Sequence, residues 1–471
     1  MTKKCFHFIA VFACAAALAL SCSPKPAVEE ENADTQAEQT EEPDVTLLKM
    51  KASVPVTDNW VFSGKPSFTV NIENNNEEAG VAQVKLGIST DITKKSVATV
   101  EQSLDIAAGS KKSVKIGVEE ELPAGIYKAS ISVNKRSAGS FFFANKPFEI
   151  QSPPDTLSDF SQFWADAKAQ LAAIDMNVSL TEIKSHSSQY AGSGRKVYLL
   201  QLNSVPDGLT GEPVVVRGYY CEPQDGKKHP VMLHFYGYDD QVPVYKPFCP
   251  SSGGSDYAEL YMSTRGQVLN NRPASLREPD GFGDFTNTYG DWFAFHFGDR
   301  DSYYYRGAFM DCVQAVRFMA TRPTSDMNNI YAEGSSQGGA FTYAAAALSD
   351  YPFRAIAPCV AFLGDFPDYF KIVSWPGNTA KQNQGKMSDK EMYEFLSYFD
   401  IKNLATRISA ATMACSGLQD GTCPPHTNLS AFNNLKTPES DKQYYFYPQM
   451  GHEIPGDWSG RYSAFFKKHR E

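Results

Sequence analysis

The chain has 471 residues, too many for one ordinary domain. Apolar residues make up 42% and charged residues 21%, which excludes wholesale disorder, collagen-like repeats and a polytopic membrane protein. The 44 basic and 54 acidic residues leave a net charge of −10, a balance that argues against a general nucleic-acid binder.

Lys3 and Lys4 precede an apolar run from Cys5 to Leu20. That run is short for a spanning helix and suits a secretory signal. It ends in Ala19-Leu20-Ser21-Cys22, which resembles the bacterial lipobox, with Ala19 where Leu is usual. Residues 1–22 are therefore expected to be a lipoprotein signal, with Cys22 the lipidated first residue of the mature chain. Acyl chains partition into a bilayer at roughly 0.8 kcal/mol per buried CH₂, so several on one cysteine hold firmly. Localisation at the bacterial cell envelope follows. Residues 23–44 read as a tether, because Glu29 to Asp44 holds eight acids, no base and no aromatic residue. Such a stretch has too little apolar surface to offset its ordering entropy. Beyond residue 44 there are 41 basic and 46 acidic residues, so half of the net charge precedes the folded regions.

Residues 45–150 show strand-like alternation at Phe68 to Ile72, Val84 to Ile88, Val114 to Val118, Tyr127 to Val133 and Phe141 to Ile150. Turn residues such as Asn74-Asn75-Asn76 fall between them. This spacing predicts an immunoglobulin-like β-sandwich without a Cys…Trp…Cys core. The region has no visible catalytic cluster; it reads as a spacer or packing module, or alternatively as a carbohydrate-binding one.

Ser152-Pro153-Pro154-Asp155 breaks the pattern, and residues 155–471 read differently. An amphipathic helix is predicted over Leu157 to Ile174. Buried strands are predicted at Val231 to Phe235, Ala355 to Ala357, Thr412 to Cys415 and Tyr444 to Tyr447. Phe309, Cys312, Val313, Val316 and Met319 mark one helix face between them. Strands alternating with helices imply an α/β fold with a mostly parallel sheet.

The chemistry centres on Gly334-Ser335-Ser336-Gln337-Gly338, which lies between the strand-like Asn329 to Glu333 and the helix-forming Ala340 to Leu348. A G-x-S-x-G between strand and helix is the nucleophile-elbow context, with glycines where Cβ atoms do not fit. Ser336 is the expected nucleophile. A serine hydroxyl needs a base, and in an α/β-hydrolase the acid and then the histidine follow it. Three histidines follow: His426 in a Pro-Pro-His loop without an evident role, His452 after the last strand, and His469 in the basic tail. Asp420 directly follows a buried strand, so Ser336, Asp420 and His452 are expected as the triad. The oxyanion hole needs two backbone N–H groups. Gln337 and Tyr238, the latter in the loop after Val231 to Phe235, are the candidates. The six cysteines beyond Cys22 (Cys221, Cys249, Cys312, Cys359, Cys415 and Cys423) show no C-x-x-C pair, and no metal or organic cofactor is expected. Export permits disulfides, but the spacing leaves their pairing open.

Residues from about 155 to 471 resemble the acetyl xylan esterase / cephalosporin-C deacetylase family, the seventh carbohydrate esterase family. The resemblance rests on the Phe-Trp helix near residue 160, Gly237-Tyr238, Arg265-Gly266-Gln267, Tyr304-Tyr305-Arg306-Gly307 and Gly334 to Gly339. It continues through Gly417-Leu418-Gln419-Asp420, Cys423-Pro424-Pro425 and Gly451-His452-Glu453, all in the family's order. It implies an α/β-hydrolase that deacetylates short acetylated xylo-oligosaccharides, with the same triad and oxyanion donors, and often a hexamer. Three places depart from the pattern: Tyr236 stands where His is usual, Val268 where Gly is usual, and Glu333-Gly334-Ser335 where a double glycine before the serine is usual. The expected function is removal of acetyl groups from acetylated carbohydrates through an acetyl-enzyme. The alternatives are a hydrolase of another small ester or peptide, and a carbohydrate-binding envelope lipoprotein with a decayed site.

Overall fold

The computed structural model describes residues 49–184, 194–238, 256–267 and 289–470. The expected signal, Cys22 and tether lie outside them, as do Cys249 and Val268. The first region is built from eight strands. These are β1 (Met50–Ser53), β2 (Val61–Phe62), β3 (Ser67–Asn74), β4 (Gly80–Thr90), β5 (Ser96–Ile106), β6 (Lys111–Gly117), β7 (Gly125–Val133) and β8 (Arg136–Asn145). They form two sheets, β1-β3-β6 and β2-β8-β7-β4-β5. Alternate residues point inward: Phe68, Val70 and Ile72 from β3 meet Val84, Leu86 and Ile88 from β4 and Ala129 and Ile131 from β7. Two sequence expectations change here. The last strand ends at Asn145 rather than Ile150, because Lys146 turns into the left-handed region and Pro147 opens a short 3₁₀ turn. β5 had no clear sequence signal, because most of its side chains are exposed on the sheet edge.

The second region carries β9 (Ser179–Glu182), β10 (Arg195–Ser204), β11 (Val214–Pro223), β12 (His229–Phe235), β13 (Ala258–Ser263), β14 (Ser325–Ser335), β15 (Ala355–Cys359), β16 (Ala411–Gly417) and β17 (Lys442–Tyr447). They make one sheet in the order β17-β16-β15-β14-β12-β13-β11-β10-β9. From β13 through β12 to β17 every pairing is parallel, and β9, β10 and β11 add antiparallel pairings at the other end. The helices are α1 (Phe160–Ala173), α2 (Tyr304–Ala320), α3 (Gln337–Leu348), α4 (Phe366–Ile372), α5 (Gly377–Asn383), α6 (Asp389–Ser397), α7 (Ile401–Ala405), α8 (Pro425–Asn433) and α9 (Trp458–Lys468). The swap of β12 and β13 relative to chain order is the α/β-hydrolase arrangement. A strand covered on both faces has no polar side to show. On β12, Val231 and Leu233 pack toward α1, α2 and α3, while Met232 packs toward Trp458, Phe465 and Phe466 of α9.

α2 is buried almost throughout, not on one face only, because it packs between the sheet, α1 and α3. Its Asp311 takes two hydrogen bonds from the Arg265 guanidinium, at 2.7 and 3.0 Å, and a third from the Arg265 backbone N–H at 2.9 Å. Gly307 belongs to the same device: a Cβ there would overlap the Arg265 guanidinium. Thr46–Glu471 form one compact unit. Within it the sandwich core continues into the hydrolase region through Leu418 and Leu429, both fully buried. Among the described residues, Cys221 is disulfide-bonded, while Cys312, Cys359, Cys415 and Cys423 are free.

Candidate active site

Ser336 sits at the junction of β14 and α3 with φ 57° and ψ −121°. This is a backbone conformation that non-glycine residues rarely adopt, and it costs on the order of 1–3 kcal/mol. Two glycines make the junction possible. A Cβ at Gly334 would overlap the Gly338 carbonyl, and one at Gly338 would overlap the Phe235 carbonyl of β12. The turn is fastened to its neighbours: the Ser336 N–H donates to the Cys359 carbonyl at 2.9 Å, and the Phe362 N–H donates to the Ser336 carbonyl at 2.9 Å.

His452 Nε2 lies 3.0 Å from Ser336 Oγ, and His452 Nδ1 lies 2.9 Å from Asp420 Oδ2. The second contact makes Nδ1 the protonated nitrogen and leaves Nε2 as the acceptor for the serine proton. Asp420 is locked from the other side, where its Oδ1 accepts from the N–H groups of Thr422 and Cys423, both at 2.8 Å. The Asp420 side chain is fully buried and the His452 ring is 26% exposed, so the base faces the cleft and the acid does not. Burial, reinforced by the Asp420 carboxylate, pushes the Cys423 thiol well above the usual range. It therefore stays uncharged and does not compete as a nucleophile.

Gly237 packs against the elbow, with Ser335 and Ser336 its nearest neighbours. This places the loop after β12 beside the nucleophile, as an oxyanion loop requires. Gln337 opens α3, so its N–H has no intrahelical acceptor and lies at the positive end of the helix. Tyr238 is anchored through its ring: its hydroxyl donates to Asp291 at 2.7 Å, and it packs among Trp292, Phe362 and Trp375 at 5.0, 6.1 and 5.5 Å. Gln267 holds the loop from behind by donating to the Gly237 carbonyl at 2.9 Å, while its own carbonyl accepts from the Thr264 N–H at 2.9 Å. Glu333, just before the elbow, pairs with His234 at 2.6 Å, and His234 stacks on Tyr261 at 3.9 Å.

The structure thus gathers Ser336, Asp420, His452, Tyr238 and Gln337 at one place. It leaves out two histidines. His469 caps the end of α9 against Phe465. His426 lies on α8, not in a loop, and is buried among acids away from the serine. Asp291, Trp292 and Trp375 surround the Tyr238 side chain without having been marked by any motif. No sequence pattern set the two tryptophans apart from aromatics that simply fill a core.

Residues 149–470 match the family model described as acetyl xylan esterase (AXE1), a match that begins after β8 and leaves the sandwich outside it. The chain is 25% identical over 289 residues to the acetyl esterase Axe7A of Xylanibacter ruminicola, which covers 60% of this chain and 61% of that protein. It therefore spans less than two thirds of that relative. Among solved structures it is similar to an acetyl xylan esterase from Paenibacillus sp. R4, with 27% identity, 69% of this chain and 98% of the other covered, and a TM-score of 0.55. Acetyl xylan esterase 1 from Thermoanaerobacterium sp. JW/SL YS485 shares the fold at 24% identity and a TM-score of 0.56, over 69% of this chain and 98% of the other. With the family model matched over well more than half of its length, the chain belongs to the acetyl xylan esterase family.

Proposed function

We propose that the protein is a serine esterase that removes acetyl groups from acetylated carbohydrates of the xylo-oligosaccharide class. The observation that carries this reading is the unbroken chain from Ser336 Oγ through His452 to Asp420, set on the strained elbow. Ser336 Oγ attacks the acetyl carbonyl as His452 Nε2 takes its proton. The N–H groups of Gln337 and Tyr238 stabilise the resulting oxyanion, and losing one such donor costs about 3 kcal/mol in the transition state. Collapse releases the sugar hydroxyl, reprotonated by His452, and leaves acetyl-Ser336. Water then repeats the sequence, with His452 again the base, and acetate leaves. Asp420 keeps the imidazole in its working tautomer and stabilises it when charged.

The substrate class rests on family membership and on the rim of the pocket. Half-buried Trp375 beside Tyr238 offers an aromatic face on which a sugar ring can lie. Acetate release measured across acetylated xylan, other acetylated glycans, 4-nitrophenyl acetate and peptides tests this assignment. The expected result is highest kcat/KM on acetylated xylo-oligosaccharides; a clear preference for peptides or non-acetyl esters would contradict it. The reading includes lipid anchoring of the enzyme at the cell envelope through Cys22. Cys22→Ala is expected to move the enzyme from the membrane fraction to the soluble one, and unchanged membrane association would refute the anchor.

A further inference from the structure

α8 presents His426 to the seam where the sandwich meets the hydrolase region, and both regions supply acids to it. Asp91 comes from the turn after β4; Asp365 and Asp368 come from the start of α4. His426 and Asp91 are each 4% exposed and Asp365 is 3% exposed. His426 Nε2 lies 3.3 Å from Asp368 Oδ2 and 3.6 Å from Asp365 Oδ2, while its Nδ1 lies 3.7 Å from Asp91 Oδ2. All three are ion-pair distances, and neither ring nitrogen nor Asp91 Oδ2 has a partner in close hydrogen-bond geometry. Buried polar atoms normally close to hydrogen-bond distance, so three that converge only to ion-pair distance call for a cause.

Distance supplies one. An imidazolium bonded to a carboxylate closes to about 2.7–2.9 Å. Donors that share a tetrahedral ion, each about 2.0–2.1 Å from it, stand roughly 3.3–3.5 Å apart. The spacing around Nε2 is that of co-ligands, and the donor atoms of His426, Asp365 and Asp368 all lie within 4.8 Å of one another. The outer partners fit as well. Lys371 Nζ holds Asp368 Oδ1 at 2.8 Å, Lys402 Nζ faces Asp365 Oδ1 at 3.3 Å, and Ser152 Oγ donates to Asp365 Oδ2. Asp91 stands 3.7 Å behind Nδ1, on the side where metal-binding histidines keep a carboxylate, and closes on the ring by charge. Asp155 and Asp400 add to the local acids, which face Lys371, Lys402 and, beside Asp91, Lys94.

We propose that His426 Nε2, Asp365 Oδ2 and Asp368 Oδ2 bind one divalent cation of the zinc class, with Asp91 of the sandwich orienting the imidazole. One nitrogen and two carboxylate oxygens suit Zn²⁺ or Mn²⁺ better than Ca²⁺, which takes six to eight oxygens. The ion would fasten the two regions together and takes no part at Ser336.

The test uses the tag-free full chain, stripped with a chelator and then titrated calorimetrically with ZnCl₂ and with MnCl₂. Metal content is read by mass spectrometry and the site geometry by the visible spectrum after Co²⁺ substitution. The expected result is one ion per chain, a melting temperature that rises with added zinc, and the d–d bands of a tetrahedral Co²⁺ site. His426→Gln and Asp368→Asn are expected to lose the ion, and Ser336→Ala to keep it. Asp368 is partly exposed, so the Asn variant is the one expected to fold without difficulty. If the stripped wild type takes up neither ion stoichiometrically, or if both variants retain it, the proposal fails and the cluster is a buried imidazolium among carboxylates.

Discussion

Ser336 is held in a conformation it would not choose, and the hold comes from outside the serine. The carbonyl of Cys359 and the N–H of Phe362 bind its backbone, and Gly334 and Gly338 leave the room. The side-chain chain beyond it is equally directional, because Asp420 accepts from His452 Nδ1 while two backbone N–H groups fill its other oxygen. Asp420→Asn keeps this size but turns a donor toward Nδ1 and forces the wrong tautomer on the ring. The expected outcome is a fall in kcat of about 10³–10⁴-fold with the fold intact, read by steady-state kinetics on 4-nitrophenyl acetate and by circular dichroism. A loss of less than tenfold would contradict the role given to Asp420.

At the scale of elements, Arg265 joins β13 to α2 and to the loop before β11. Its guanidinium reaches Asp311 and the Val205 carbonyl, and the Tyr304 hydroxyl donates to its own carbonyl at 2.8 Å. Removing one partner from such a buried pair strands a charge, so the device is costly to break. Gly307→Ala forces a methyl group into the guanidinium and is expected to cost about 3 kcal/mol in denaturant unfolding, with a lower melting temperature. No measurable change in stability would show that the pair relaxes without cost. The same scale decides what the sequence revealed. β12, β15 and β16 are apolar on both faces and were legible as buried strands, and the glycine spacing made the elbow legible. β5 was not, because an exposed edge strand needs no apolar alternation. The acid cage of His426 was not legible either, since Asp91 and His426 lie far apart in the chain and meet only through tertiary packing.

At the scale of the whole molecule, the Gln419 side chain links the sandwich to the catalytic loops. Gln419, the neighbour of Asp420, accepts from the Phe142 N–H of β8 at 2.9 Å and donates to the Phe142 carbonyl at 3.0 Å. Its amide also donates to the Pro448 carbonyl at 2.7 Å, and its backbone N–H donates to Met450 at 3.0 Å, on the loop that carries His452. One residue thus ties the acid loop, the histidine loop and the sandwich. Gln419→Met keeps the volume and removes the amide, leaving buried partners unpaired at a cost of about 1–3 kcal/mol. The expected result is a lower melting temperature and a kcat on 4-nitrophenyl acetate reduced about tenfold with KM little changed. An unaltered kcat would mean that the sandwich supports the fold without steadying the catalytic loops.

The central claim is that Ser336 is the nucleophile of an acetyl esterase acting on carbohydrate. The most direct measurement is acetate release from acetylated xylo-oligosaccharides by the full chain and by Ser336→Ala, at equal protein concentration. The account predicts rapid release by the unmutated enzyme and a loss in kcat on the order of 10⁴–10⁶-fold in the variant. Equal rates from the two proteins, or no release from either, would contradict it.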